Sequence, residues 1–387
     1  MPIPLMALGS RRAVMGFLAL VVTLSGACKV GADRDAGPPS TPGAQTSDPA
    51  SAPPSRPCQR APLEARAAAV LVVGIGNATA ADAPLPSALS ALGVGGVILL
   101  RPNVVDGAQV RALTSGLRQR SARGLLITVD EEGGRVSRLR PVLGTTPSAR
   151  TLGQRPLTEI ADVAAKRGAT MRDLGFDLSF APVVDADGGA AGAAIGDRSF
   201  AVTPAEAGMR AGAFAAGLGR AGLGATAKHF PGQGGLADSH DGRVVSGASI
   251  DQLRAAAAAG FQPAIEARVP AVMMSHVTYT ALGPLPASLE PAAYRLLRSF
   301  GFNGVAVTDA LGMSAITDRW PIPQAAAMAL AAGADLVLVN QGDQARAMRD
   351  AIVAAVADGR LPEARLDQAV SRVLALRGQD AATMVCS

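Results

Sequence analysis

From about residue 62 onward, short apolar runs rich in Val, Ile and Leu alternate with longer Ala-rich stretches whose apolar positions recur every three or four residues. The short runs predict strands at 68–73, 96–100, 125–130, 177–184, 225–230, 271–277, 305–309 and 336–340. Amphipathic helices are expected between them, among others over 158–174, 204–218, 250–267, 291–300 and 344–357. Nearly continuous apolar strands imply burial on both faces, and regular strand–helix alternation implies a parallel sheet. Eight such strands within residues 61–387, with no second linker, predict one (β/α)8 (TIM) barrel of the α/β class.

Polar residues sit where such a barrel would use them. Asp130, Asp185, Lys228 with His229, His276, Asp309 and Asn340 each fall at the C-terminal end of a different expected strand. Barrel active sites assemble at that face from several strand ends. A doubly wound sheet also binds ligands at strand C-termini, but it would not gather six polar strand ends around one mouth. Gly217 to Gly222 matches the dinucleotide pattern G-x-G-x-x-G, yet it follows a helix and precedes a strand, the reverse of the required order. It reads as a helix stop and turn.

The first sixty residues follow a different pattern. Arg11 and Arg12 precede an apolar run, 13–24, too short to span a bilayer comfortably, so residues 1–27 read as a signal peptide. Ser25-Gly26-Ala27-Cys28 resembles a bacterial lipoprotein cleavage box, which makes Cys28 the expected lipidation site. Residues 28–60 are dominated by Pro, Ser, Ala, Gly, Thr and Asp, and they lack the apolar surface needed to offset chain entropy. They are expected to form a flexible tether. The expected location is outside the cell membrane, held to it by the N-terminal lipid. In an exported chain, Cys58 and Cys386, at the two ends of the folded region, are placed to form a disulfide.

Composition then narrows the function. The net charge is +5, but Arg is scattered and no basic block interleaves with aromatics, so nucleic acid is not an expected partner. All three histidines, His229, His240 and His276, lie in or beside the strand-end set. His240, Asp238 and His229 could be imagined around zinc. The metalloprotease helix motif is absent, however, and the cysteines are remote. No metal or organic cofactor is expected. The run from Lys228 to His240 leaves a strand, enters a Gly- and Pro-rich loop and ends in Asp-x-His. Side chains two apart on extended backbone share a side, so Asp238 can hold the His240 ring and set its tautomer, as in a tuned general acid/base.

These segments resemble the β-N-acetylglucosaminidases of glycoside hydrolase family 3. The likeness covers about residues 62–375. It rests on Asp130-Glu131-Glu132-Gly133-Gly134-Arg135-Val136, Ile195-Gly196-Asp197-Arg198-Ser199-Phe200, the Lys228–His240 run, Met274-Ser275-His276-Val277, and Val307-Thr308-Asp309-Ala310-Leu311-Gly312-Met313. The resemblance implies that Asp309 is the nucleophile and that His240, paired with Asp238, protonates the leaving oxygen and then activates water. It implies that Asp130, Arg138, Arg198, Lys228 and His229 hold the terminal sugar. His276 matches a motif position, with packing beneath the site as open as contact. The chain departs from the family at Gln233, where His is usual, and in a loop one residue shorter. The expected activity is exo-hydrolysis of terminal β-linked N-acetylglucosamine from amino-sugar oligosaccharides or muropeptides, by a monomer. A β-glucosidase, a β-N-acetylglucosaminide phosphorylase and a non-catalytic sugar-binding lipoprotein are the competing expectations.

Overall fold

The computed structural model describes residues 60–188 and 194–386. The expected signal peptide, the tether up to residue 59, Cys28 and Cys58 lie outside the described residues. Cys386 is disulfide-bonded.

Eight parallel strands form one sheet. They are β1 (Leu71–Gly74), β2 (Gly96–Leu99), β3 (Leu126–Val129), β4 (Leu178–Ser179), β5 (Gly224–Phe230), β6 (Ala271–Met274), β7 (Val305–Thr308) and β8 (Val337–Val339). Each pairs with its sequence neighbour, β1 also pairs with β8, and a parallel bridge from Val307 to Leu336 joins β7 to β8. The sheet therefore closes, as the alternating pattern predicted. Closure removes sheet edges and leaves the strands sandwiched between barrel interior and helices. Leu71, Val72, Val73, Val305 and Val337 are accordingly buried.

The crossovers are α1 (Pro84–Leu92), α2 (Gly107–Arg120), α3 (Leu157–Asp173), α4 (Pro204–Arg220), α5 (Ile250–Glu266), α6 (Pro291–Ser299), α7 (Ile322–Ala332) and α8 (Ala345–Ala357). Local chemistry starts several of them. Asp106 caps α2 by accepting from the Gln109 N–H, and Ser249 with Gln252 forms a capping box on α5. The abundant Ala and Gly let helices approach closely. A Cβ on Gly208 would lie 2.4 Å from the Gly260 carbonyl oxygen, and one on Gly217 would lie 2.2 Å from that of Ala161. Only a bare backbone fits there.

Seven of the eight expected strands are shorter than the pattern suggested, two of them for a clear local reason. Residues 68–69 belong to an extra helix, Leu63–Ala69, whose alanines run without a break into β1. After Ser179 the ladder becomes irregular around Pro182, which has no N–H to give: the Thr226 and Lys228 N–H groups still donate to the Ala181 and Pro182 carbonyls, and a regular bridge reappears only from Val183 to Lys228. The ends of the domain meet: Arg66 bonds Asp367 and Glu363 of the last helix, Glu363–Leu376, and the Ala61 N–H bonds the Met384 carbonyl.

Candidate active site

The C-terminal ends of the strands open into a cavity of about 180 Å³. All eight residues expected to act on or hold the sugar line it: Asp130, Arg138, Arg198, Lys228, His229, Asp238, His240 and Asp309. Gln233 and Asn340 also contribute.

The floor of the cavity is a charged network centred on a residue the motif reading passed over. Glu132 is buried, and its carboxylate accepts from Arg198 Nε at 2.8 Å and Arg198 Nη2 at 2.9 Å. Lys228 Nζ lies 2.7 Å from Glu132 Oε1 and 2.8 Å from Asp130 Oδ1. Burial alone would raise the Glu132 pKa, but the charges and hydrogen bonds of Arg198 and Lys228 outweigh it and hold the carboxyl far below its ordinary value. By the same reciprocity Lys228 and Arg198 are held above their ordinary values despite desolvation. The clue was in the spacing. Asp130 and Glu132 are two apart along extended chain and so share a face, while Glu131 turns the other way to Arg167, 3.0 Å, and the Leu139 N–H, 2.9 Å.

Asp309 follows β7. Its Oδ1 accepts from the Ala310 N–H at 2.7 Å, and its Oδ2 lies 3.8 Å from His229 Nε2. Burial would raise this carboxyl too. His229 and His276, the Ala310 N–H and Lys228 together outweigh it, so Asp309 stays below the ordinary carboxylate range and is an anion at neutral pH. His229 Nδ1 donates to Asp185 Oδ2 at 2.6 Å, and the same carboxylate accepts the backbone N–H groups of His229 and Gln233. Asp185, at an expected strand end, thus orients a cavity residue without entering the cavity.

His276 lies beneath the cavity rather than in it. A carbonyl oxygen can only accept, so His276 Nε2 donates to Ala310 O at 3.0 Å and Nδ1 accepts from Ser288 Oγ–H at 2.7 Å. Burial lowers its pKa and keeps the ring neutral. The ring therefore pins the residue that follows Asp309.

The loop after β5 carries the remaining pair. Tyr279 donates to the Gly232 carbonyl at 2.8 Å, Val245–Ser246 pairs in parallel with Thr278–Tyr279, and the Ala315 N–H bonds Ser239 O at 3.2 Å. Between these anchors His240 Nδ1 donates to Asp238 Oδ1 at 2.7 Å, as the Asp-x-His spacing implied, and the His240 side chain is 65 % exposed. The His240 backbone N–H donates to the same oxygen at 2.9 Å. Arg138 contrasts with all of these: it is half-buried, and among the described residues its Nε is buried without a partner. It is a cation with capacity left for a ligand.

A half-buried anionic carboxylate sharing one cavity with an exposed imidazole–carboxylate pair is equipped for acid/base and nucleophilic work on a small polar substrate. Residues 64–376 match the model of the glycosyl hydrolase family 3 N-terminal domain. The chain belongs to this family of glycoside hydrolases. It is 36% identical over 385 residues to the β-hexosaminidase LpqI of Mycobacterium tuberculosis, covering 94% of this chain and 97% of that protein. A Stenotrophomonas maltophilia β-hexosaminidase is 37% identical over 256 residues, which is 64% of this chain and 76% of the relative. The solved structure of M. tuberculosis LpqI superposes with a TM-score of 0.75 at 36% identity, over 82% of this chain and 94% of that one. The family 3 β-N-acetylglucosaminidase of Paenibacillus sp. superposes with a TM-score of 0.78 at 33% identity, over 84% of this chain and 64% of that one.

Proposed function

We propose that this glycoside hydrolase is an exo-acting, retaining β-N-acetylglucosaminidase that removes terminal β-linked N-acetylglucosamine from peptidoglycan fragments. The reading is carried by one observation: Asp309 and the Asp238–His240 pair line the same cavity. The relatives named as β-hexosaminidases and a β-N-acetylglucosaminidase support it. Asp309 attacks the anomeric carbon while the His240 imidazolium gives its Nε2 proton to the leaving oxygen. The product is a glycosyl ester on Asp309. The neutral imidazole then takes a proton from water, the water oxygen attacks the anomeric carbon, and the Asp309 carboxylate leaves with net retention. Asp238 stabilises the imidazolium and fixes its orientation. Asp130, Lys228, His229 and Arg198 hold the sugar hydroxyls, and Arg138 supplies a donor to the acetamido group.

A histidine in place of a second carboxylic acid lowers the negative charge of the cavity. That suits aglycones bearing carboxylates, such as muramic acid, more than neutral glucosides. Nitrophenyl β-N-acetylglucosaminide, the matching β-glucoside and purified muropeptides, each with and without phosphate, test the assignment. Preference for the glucoside, or sugar phosphate as product, would replace it with one of the competing activities. Trapping a glycosyl adduct on Asp309, absent in Asp309→Asn, tests the covalent step. We further infer that Cys28 is lipidated, holding the enzyme on the outer face of the membrane, and that Cys58 pairs with Cys386. Palmitate labelling of wild type and Cys28→Ala, and peptide mapping without reductant, test these. Equal labelling, or free Cys58 thiol, overturns them.

A further inference from the structure

A second cavity, of about 490 Å³, lies at the opposite end of the barrel. Its lining residues begin strands rather than end them: Leu126 opens β3, Asp177 precedes β4, Gly224 opens β5 and Pro270 precedes β6. It is remote from the strand ends that carry Asp309 and Lys228.

Its charge is unbalanced. Arg118 from α2, Arg172 from α3 and Arg377 after the last helix converge there, and Asp177 is the carboxylate that faces them. Three positive charges against one leave an excess of two. The carboxylate is also partly spent on backbone, since Asp177 Oδ2 accepts the Ile127 N–H at 2.9 Å. Arg118 reaches Asp177 through Nη2 at 2.6 Å, and Arg172 reaches it through Nη1 at 3.1 Å. Among the described residues, no partner is found for the other guanidinium nitrogens of Arg118 or for Arg172 Nη2. Arg377 touches no carboxylate. Its Nη2 donates to the carbonyls of Arg123 and Gly124, and its Nε is buried without a partner. Burial pushes its pKa down to about 10, which marks a cation poorly compensated where it stands. Gln379 turns its amide nitrogen to the Arg123 carbonyl at 2.9 Å and leaves a buried Oε1 without a donor.

We propose that this cavity is a binding site for a phosphate group, as hydrogen phosphate or a small phosphate monoester, held by Arg118, Arg172 and Arg377. A dianion cancels the excess charge. Its oxygens accept from the unspent guanidinium edges, for which planar forked donors are well matched. Hydrogen phosphate, unlike sulfate, also carries an O–H to offer an idle acceptor such as Gln379 Oε1, a bond that a monoester dianion forgoes. Bound there, it would link α2, the β4 entrance, α3 and the chain after the last helix.

Isothermal titration of the full chain with inorganic phosphate and, separately, glycerol 1-phosphate, at constant ionic strength in chloride, tests the site and tells a free ion from a monoester. Saturable binding is expected, weakened about tenfold by Arg377→Gln, the amount one charge-assisted hydrogen bond carries. Arg118→Gln, at a half-exposed position less critical for folding, should weaken it similarly. Arg138→Gln, which empties the catalytic cavity of its uncommitted cation, should leave it intact. Hydrolysis of the nitrophenyl substrate should be unchanged in both bottom-face variants. Absence of phosphate binding in the wild type, or binding lost in Arg138→Gln and kept in Arg377→Gln and Arg118→Gln, overturns the proposal.

Discussion

Replacing Glu132 by Gln removes one negative charge from beneath the sugar pocket while keeping the side chain's shape. The carboxylate is 3 % exposed and accepts three charge-assisted contacts, two from Arg198 and one from Lys228. At about 1.5–3 kcal/mol for each such bond, a simple sum reaches roughly 5–9 kcal/mol. The sum overstates the effect, because the bonds are not independent and Gln keeps one acceptor. Breaking a buried ion pair by altering one partner costs about 3–5 kcal/mol, and that is the loss expected at pH 7. Because the folded pKa of Glu132 is depressed, its stabilisation is complete above the unfolded carboxylate value and fades as pH falls through the folded one. The gap between wild type and variant should therefore narrow below about pH 4. Urea denaturation followed by circular dichroism at pH 7 and at pH 3 measures both quantities. A loss under about 1 kcal/mol at pH 7, or a gap that does not change with pH, would refute the network as drawn.

Further outcomes follow from packing and bonding. Gly208→Ala should lower stability by about 1–3 kcal/mol, since the new methyl meets the α5 backbone, whereas Gly219→Ala in the same helix, with nothing within 4 Å, should be neutral or slightly stabilising. Urea midpoints of the two variants check this. His276→Phe keeps a planar ring, somewhat larger, but leaves Ser288 Oγ unpaired and takes from Ala310 O one of its two donors, the Met313 N–H remaining. It should lower kcat more than it raises KM, because it loosens the chain beside Asp309, and a pure KM effect would argue against that positioning. Arg138→Ala should raise KM with little change in melting temperature, since among the described residues its Nε has no partner, and equal KM values would remove Arg138 from substrate contact.

The barrel was legible because strand burial on two faces and helix burial on one leave different periods in the sequence. Where the reading slipped, local chemistry had overridden the pattern: alanines continuous with β1 concealed the helix Leu63–Ala69, and Pro182, lacking an N–H, made the ladder after β4 irregular. The strand-end residues of the site were legible for the same reason as the strands, since position on the barrel decides which side chains face the mouth. What the chain order did not reveal is who holds whom. Asp185 is 44 residues from His229 and Glu132 is 66 from Arg198, and only closure of the barrel brings them together. The unspent donors of Arg138 are likewise invisible in a sequence, because being without a partner is a property of the folded surroundings.

The site consists of two parts with different physical demands. Lys228 and His229 are buried in the barrel and Asp309 is half-buried beside them, each held by buried partners, so disturbing them costs stability along with activity. Asp238 and His240 flank Ser239, which is buried and held by the Ala315 N–H, yet their own side chains are 41 % and 65 % exposed. An exposed ion pair contributes little to stability, so His240→Ala should leave the denaturation midpoint within about 0.5 kcal/mol of wild type. Its effect on rate should depend on the leaving group. Nitrophenolate leaves without a proton, whereas a sugar alkoxide needs one, so the natural substrate should lose about 100- to 10,000-fold and the activated one much less. Small-molecule nucleophiles that need no general base, such as azide, should restore turnover of the activated substrate. Equal losses on both substrates, or a large fall in stability, would mean that His240 serves the fold rather than proton transfer, and the acid/base role would then have to be sought among the buried groups.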